Sequence, residues 1–122
     1  MKSYRDLNIY NDAFDLAIKM HQLSLRMPKY EIYELGSQIR RSSQSIRSNI
    51  IEGYGRKIYK NEFIKFLTYA YASCLETQSH IEMINNLYNL DEDKDFFKKS
   101  DDLGKQIFAF IEYVRKNWKT NR

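Results

Sequence analysis

The sequence predicts an all-α protein, an antiparallel up-down-up-down four-helix bundle. Apolar residues recur at alternating spacings of four and three through four long stretches, which is the seam of a bundle helix. One proline and four glycines leave few breaks, which suits long helices better than many short strands. No strand alternation, repeat or low-complexity tract competes. With 122 residues, 43% of them hydrophobic and 15% aromatic, the chain is one domain that can bury a core without disulfides or metals.

The helices are expected over about 8–27, 34–54, 61–89 and 92–119. In the first, Ile9, Ala13, Leu16, Met20, Leu23 and Met27 form the seam, Asn8 or Asn11 is placed to cap the start, and Pro28 restrains Met27 away from helix. A connector around Lys29 to Tyr33 leads into the second helix. That helix has three faces rather than two. Ile39, Ile46, Ile50 and Gly53 make a narrow apolar seam, and Ser42, Ser45, Asn49 and Glu52 form a small polar stripe beside it. Arg40, Arg47, Arg56 and Lys57 make the third face basic. Gly53 and Gly55 weaken the helix where it should end.

The third helix starts near Asn61, a plausible N-cap, and its seam runs Phe63, Leu67, Ala70, Cys74, Thr77, Ile81, Ile84 and Tyr88. Asn85, Asn86 and Asn89 loosen its end. The acidic run from Asp91 to Asp95 places negative charge at the positive end of the fourth helix dipole. That helix carries Phe96, Ser100, Leu103, Ile107, Phe110, Val114 and Trp118 as its seam. Tyr10, Phe14, Ile18, Phe66, Tyr69, Tyr71, Phe97, Phe108 and Ile111 lie off or beside these seams. Widened core stripes absorb some of them. An oligomer interface suits the rest, since tyrosine joins apolar area to a hydroxyl that tolerates the rim.

The net charge of +4 is unevenly spread. Residues 29–60 hold seven basic and three acidic side chains, an excess equal to that of the whole chain. Arg115, Lys116, Lys119 and Arg122 form a second cluster. Such clustering is the pattern of a polyanion-binding surface, and equally of a solubilising face. The lone Cys74 allows no intrachain disulfide, the N-terminus has no signal-peptide apolar region, and the uncharged run from Phe66 to Leu75 is too short to cross a bilayer. The expectation is a soluble cytoplasmic protein.

Catalytic chemistry finds no motif. His21 and His80 sit on different helices without a placed nucleophile, and Cys74 falls on a core seam. Di-metal bundles need paired Glu-x-x-His motifs, whereas Glu76-Thr-Gln-Ser-His80 has the wrong spacing and no second copy. Glu52-Gly-Tyr-Gly-Arg56 lacks the Gly-Lys-Ser/Thr of a phosphate loop and follows no strand. No enzyme, metal or cofactor is expected. For the carboxylates, the alternatives are solvation on a mixed-charge face or a structural polar network. That network would join Arg41, Ser45, Asn49, Glu52 and Glu76, fixing helix register, with Arg41 reaching Glu76 across the bundle and Glu52 partly buried and paired with Arg56 one turn along its own helix.

Four segments carry a resemblance: Tyr33-Glu-Leu-Gly-Ser-Gln-Ile-Arg-Arg-Ser42, Ser45-Ile-Arg-Ser-Asn-Ile-Ile-Glu-Gly-Tyr-Gly-Arg56, Glu62-Phe-Ile-Lys-Phe-Leu67 and Ser73-Cys-Leu-Glu-Thr-Gln78. Together with Pro28, they resemble the bacterial four-helix-bundle proteins encoded within 23S rRNA intervening sequences. The chain departs from that pattern at Arg47, where proline is common, and at Ile51, where alanine is usual. The resemblance implies a cytoplasmic bundle assembled as a homopentamer. The chain is also similar to the accessory protein of diversity-generating retroelements, which implies nucleic acid and a reverse transcriptase as partners.

Two function classes follow. In one, an oligomer binds RNA or DNA, mainly at phosphates, through Arg40, Arg47, Arg56, Lys57, Lys60, Arg115, Lys116 and Lys119, with Tyr54 and Tyr59 near enough to stack on bases. In the other, the bundle is a protein assembly scaffold and its charge only keeps it soluble.

Overall fold

A computed structural model describes residues 2–90 and 95–119. After a single 3₁₀ turn (Tyr4–Asp6) come α1 (Asn8–Ser24), the short α2 (Lys29–Ile32), α3 (Leu35–Gly55), α4 (Lys60–Tyr88) and α5 (Asp95–Asn117). The four long helices pack in cyclic order, α1 on α3, α3 on α4, α4 on α5 and α5 back on α1. That is the arrangement short antiparallel connections impose. The α1–α5 side is the loosest of the four.

The spacing of four and three decides what is inside. Ile9, Ala13, Leu16, Met20 and Leu23 of α1 meet Ile39, Ile46 and Ile50 of α3. Phe63, Leu67, Ala70, Cys74, Ile81 and Ile84 of α4 join Leu103, Ile107, Ile111 and Val114 of α5 in the same core. The surplus aromatic and aliphatic positions divide. Tyr10 and Ile111 are buried, Phe66 and Tyr71 are half-buried, and Phe14, Ile18, Tyr69, Phe97 and Phe108 are exposed.

Helix ends differ from the expected ones for local reasons. No side chain caps α1; Leu7 occupies the cap position, and Asn11 instead donates Nδ2 to the Arg5 carbonyl (3.0 Å). Ahead of it, Ser3 and Asp6 form a capping box, with Asp6 accepting from the Lys2 and Ser3 amides at 2.8 and 3.1 Å. α1 stops three residues early, yet Met27 stays in the core because Pro28 opens a compact link that contains α2. α4 begins at Lys60 with Tyr59 in the cap position, so Asn61 is inside the helix rather than capping it. It ends at Asn89, whose left-handed φ of 53° suits asparagine. Residues 91–94, three of them acidic and expected at the start of the last helix, lie outside the described residues.

Two features hold α3 against α4. A Cβ at Gly53 would come within 3.3 Å of the Phe63 ring and of the Phe66 Cβ, so only glycine permits this approach without a shift. Further up, small hydroxyls form a ladder. Thr77 Oγ1 lies 2.8 Å from both Ser42 Oγ and the Ser73 carbonyl oxygen, while the Ser73 hydroxyl meets Ser45 Oγ at 2.9 Å. Asn49 donates to Ser45 Oγ (3.0 Å) and to the Ser45 carbonyl (2.9 Å). Thr77→Val keeps the volume but removes the hydroxyl from a fully buried position. Chemical denaturation is expected to show a loss of about 1–2 kcal/mol, since a lost net hydrogen bond adds to a less satisfied Ser42. An unchanged midpoint would show that the ladder contributes nothing to stability.

Candidate nucleic-acid interface

The antiparallel order puts three chain segments at one end of the bundle: the turn before α1, the link between α3 and α4, and the end of α5. Side-chain contacts tie them together. Tyr4 packs on Tyr54 with ring centroids 6.3 Å apart. Trp118 donates Nε1 to the Lys57 carbonyl (2.9 Å), and its ring sits 5.2 Å from that of the buried Phe63. The link is itself a compact turn, with the Arg56 and Lys57 amides bonded to the Gly53 and Tyr54 carbonyls and the Tyr59 amide to the Arg56 carbonyl.

This pole carries Lys2, Arg5, Arg56, Lys57, Lys60, Arg115, Lys116 and Lys119. The carboxylates near it are Asp6, Glu52, Glu62 and Glu112. Asp6 is held below the usual carboxylate range by the backbone amides of Lys2 and then Ser3. Glu52 and Glu62 both pair with Arg56, at 3.2 and 3.1 Å, and Glu112 pairs with Arg115 at 3.4 Å. Six cations at this end therefore have no carboxylate partner among the described residues: Lys2, Arg5, Lys57, Lys60, Lys116 and Lys119. Arg5 and Lys57 instead lie over the Tyr4 and Tyr54 rings, at 4.7 and 3.9 Å from the centroids. Exposed Ile58 and Tyr59 stand between the charges. Cations at the C-terminal ends of α3 and α5 also offset those helix dipoles, which is a structural reason for part of the clustering.

The eight residues named from sequence do not form one surface. Arg56, Lys57, Lys60, Arg115, Lys116 and Lys119 meet at the pole. Arg47 lies midway along α3, donating Nε and Nη2 to Gln44 Oε1 at 3.2 and 2.9 Å. Arg40 is near the opposite end and is an internal tie. Its Nη1 donates to Ser24 Oγ (2.8 Å) and its Nη2 to the Ile32 carbonyl (3.1 Å), stitching α1 to the α2 link. Lys2, Arg5 and Trp118 belong to the pole and were not among the eight, although the antiparallel order alone brings the N-terminus beside residues 56–60.

The expected polar network divides likewise. Ser45 and Asn49 are in the hydroxyl ladder. Glu52 pairs with Arg56 on its own helix as its spacing predicts, but it is exposed rather than partly buried. Arg41 and Glu76 are exposed on the rim of one groove, together with Gln38 and His80, and no ion pair joins them.

Elsewhere the chemistry is sparse. No group of three or more His, Cys, Asp or Glu side chains among the described residues is placed to hold a metal. No described helix is long and apolar enough to cross a membrane. Burial pushes the Cys74 thiol up to about 12 from its ordinary 9.0, with the charge of Asp101 adding to the rise. Its Sγ donates to the Ser100 carbonyl at 3.3 Å. The neutral thiol is the folded form, so the unfolded chain loses its proton first as pH rises. Stability from this group is fully present below about 9 and declines between about 9 and 12. Aromatic disulfide reagents at neutral pH should leave native Cys74 unlabelled for as long as the fold survives, and label it at once in denaturant. Rapid native labelling would show that the α4–α5 seam opens.

Fold and pole together define a small up-and-down helical bundle with a cationic end and, among its described residues, no cluster placed to hold a metal. The family model for the 23S rRNA-intervening sequence protein matches residues 5–109, and the chain belongs to that family. No curated protein matches the chain.

Proposed function

We propose that this chain is a non-enzymatic, self-associating helical bundle that binds RNA or DNA through the basic pole. The observation that supports this most is the meeting of two basic clusters, remote in sequence, at one end of the fold, with six cations unpaired by carboxylates among the described residues. Phosphates are the chemical match for such a surface. Binding is then dominated by counterion release, with weak sequence preference and steep salt dependence. Tyr59, exposed among the lysines, offers a face on which an unpaired base stacks. A homopentamer, which the family resemblance implies, multiplies the pole five-fold. A cytoplasmic location fits a chain whose only thiol is buried and unpaired.

Titration of a labelled rRNA hairpin and an unrelated duplex at several salt concentrations tests the reading. Binding of both, weakening steeply with salt, is the expected result. Absence of binding at low salt, from a chain that still self-associates, would leave the second reading. In that reading the bundle is a scaffold for another protein, with a reverse transcriptase as the implied partner. The exposed apolar side chains on α1, α4 and α5 favour it.

A further inference from the structure

The basic pole is not uniformly polar. Ile58 and Tyr59, adjacent in the link from α3 to α4, are 59% and 44% exposed between Lys57 and Lys60. On α5, one turn before its end, Tyr113 is 50% exposed. Single exposed apolar side chains are ordinary. A surface that met only phosphates would nevertheless have no use for three of them beside its cations.

The rings at this end differ in what covers them. Arg5 lies over Tyr4, Lys57 over Tyr54 and Arg56 over Phe66, at 4.7, 3.9 and 4.7 Å from the centroids. All three rings are half-buried. Trp118 is turned inward against Phe63. Tyr59 and Tyr113 are the most exposed, and their settings are unlike. Tyr113 stacks on Phe110, with centroids 6.0 Å apart and planes at 21°, and follows Glu112, which pairs with Arg115. Tyr59 is flanked instead by Lys57 and Lys60, neither of which has a carboxylate partner among the described residues.

The backbone that carries Tyr59 is already fixed. Its amide donates to the Arg56 carbonyl (2.9 Å), and its carbonyl accepts from the Phe63 amide (3.0 Å). Trp118 holds the Lys57 carbonyl from the other side, at 2.9 Å. A ligand seated on this ring therefore pays for one side-chain rotamer and not for the ordering of a loop.

We infer that the pole takes unpaired nucleotides, with phosphates of the strand on the lysines and one base stacked on Tyr59 beside Ile58. A duplex keeps its base faces inside its own stack, and along its length it offers this ring only sugar and phosphate. A single strand or a loop offers charge and an open base face together, so it satisfies the lysines and the ring at once. Every base has such a face, so the preference is for unpaired over paired nucleotides and not for one sequence. The inference rests on the nucleic-acid reading of the pole and names what binds there.

The test compares Tyr59→Phe with Tyr59→Leu at one salt concentration. The probes are an oligouridylate, an abasic strand of the same length, and the oligouridylate annealed to its complement. The two variants carry equal charge and similar apolar bulk, so the phosphate contribution cancels and only the aromatic face differs. Helix content by circular dichroism should match the parent, because the ring is exposed. Tyr59→Trp or Tyr59→Met replaces whichever variant does not match. For the oligouridylate, the Phe variant should bind more tightly than the Leu variant by roughly 5- to 100-fold. For the abasic strand and the duplex, the ratio should be close to unity. Equal binding of the oligouridylate by both variants would overturn stacking on Tyr59 while the pole stands as a phosphate surface. A ratio equally large for the abasic strand or the duplex would overturn the selection of unpaired bases. A parent chain that binds none of the three at low salt would remove the nucleic-acid reading itself.

Discussion

Replacing Lys57, Lys60, Lys116 and Lys119 together with glutamine is expected to lower affinity for a structured RNA by on the order of 10²- to 10³-fold at about 0.1 M salt. Each lysine withdrawn from a phosphate returns roughly 0.9 of a counterion, so the slope of log affinity against log salt should become shallower by about 3–4. The four lack carboxylate partners among the described residues, so their removal leaves no carboxylate orphaned. Arg41→Gln with Arg47→Gln is the control away from the pole, and it should change affinity little. A loss per charge as large as that from the pole set would mean that total charge, rather than the pole, governs binding. Arg40 is unsuitable for either set, because its guanidinium holds Ser24 and the Ile32 carbonyl and its loss would disturb the fold.

Phe63→Ala is expected to cost about 3–5 kcal/mol, the usual range for emptying a fully buried phenylalanine site. In a domain of this size that is a fall in melting temperature of about 10–20 °C. Phe63 packs edge-on against Phe110 and Trp118, at 5.9 and 5.2 Å, and its ring also lies against Gly53. The cavity therefore opens beneath the bond that fixes the end of α5 to the Lys57 carbonyl. Nucleic-acid affinity should fall as well, without any change of charge, because the C-terminal lysines lose their fixed position. A melting temperature within a few degrees of the parent would mean that the site collapses without cost, contrary to the packing described.

The seams were legible because the bundle core obeys the same 3.6-residue period as the helix itself. Ile39, Ile46 and Ile50, or Phe63, Leu67, Ala70 and Cys74, could hardly be placed otherwise. Caps were not legible, since Asn11 and Asn61 have the right chemistry, but the start of each helix is set by the segment before it. Arg40 shows the same limit at the candidate site. In sequence it is one more cation, and only the path of the α2 link brings Ser24 and the Ile32 carbonyl to its guanidinium. The sequence left Glu52 either solvated or partly buried, and its exposed position on α3 settles the matter while the pair with Arg56 was legible from their spacing of four. The pole itself follows from topology, whereas its cohesion depends on Trp118, read from its spacing as one more seam residue.

The unequal sides of the bundle carry a mechanical meaning. With α3 and α4 held by glycine contact and hydroxyls, and α1 meeting α5 only loosely, the molecule is built like a book with a stiff spine and a light fore-edge. Partial opening is expected to swing α1 and α5 apart before the spine admits water, with amides of α1 and α5 exchanging ahead of those of α3 and α4. A partner that bridged α1 and α5 would hold the covers shut from outside and supply the rigidity that a single chain lacks along that edge.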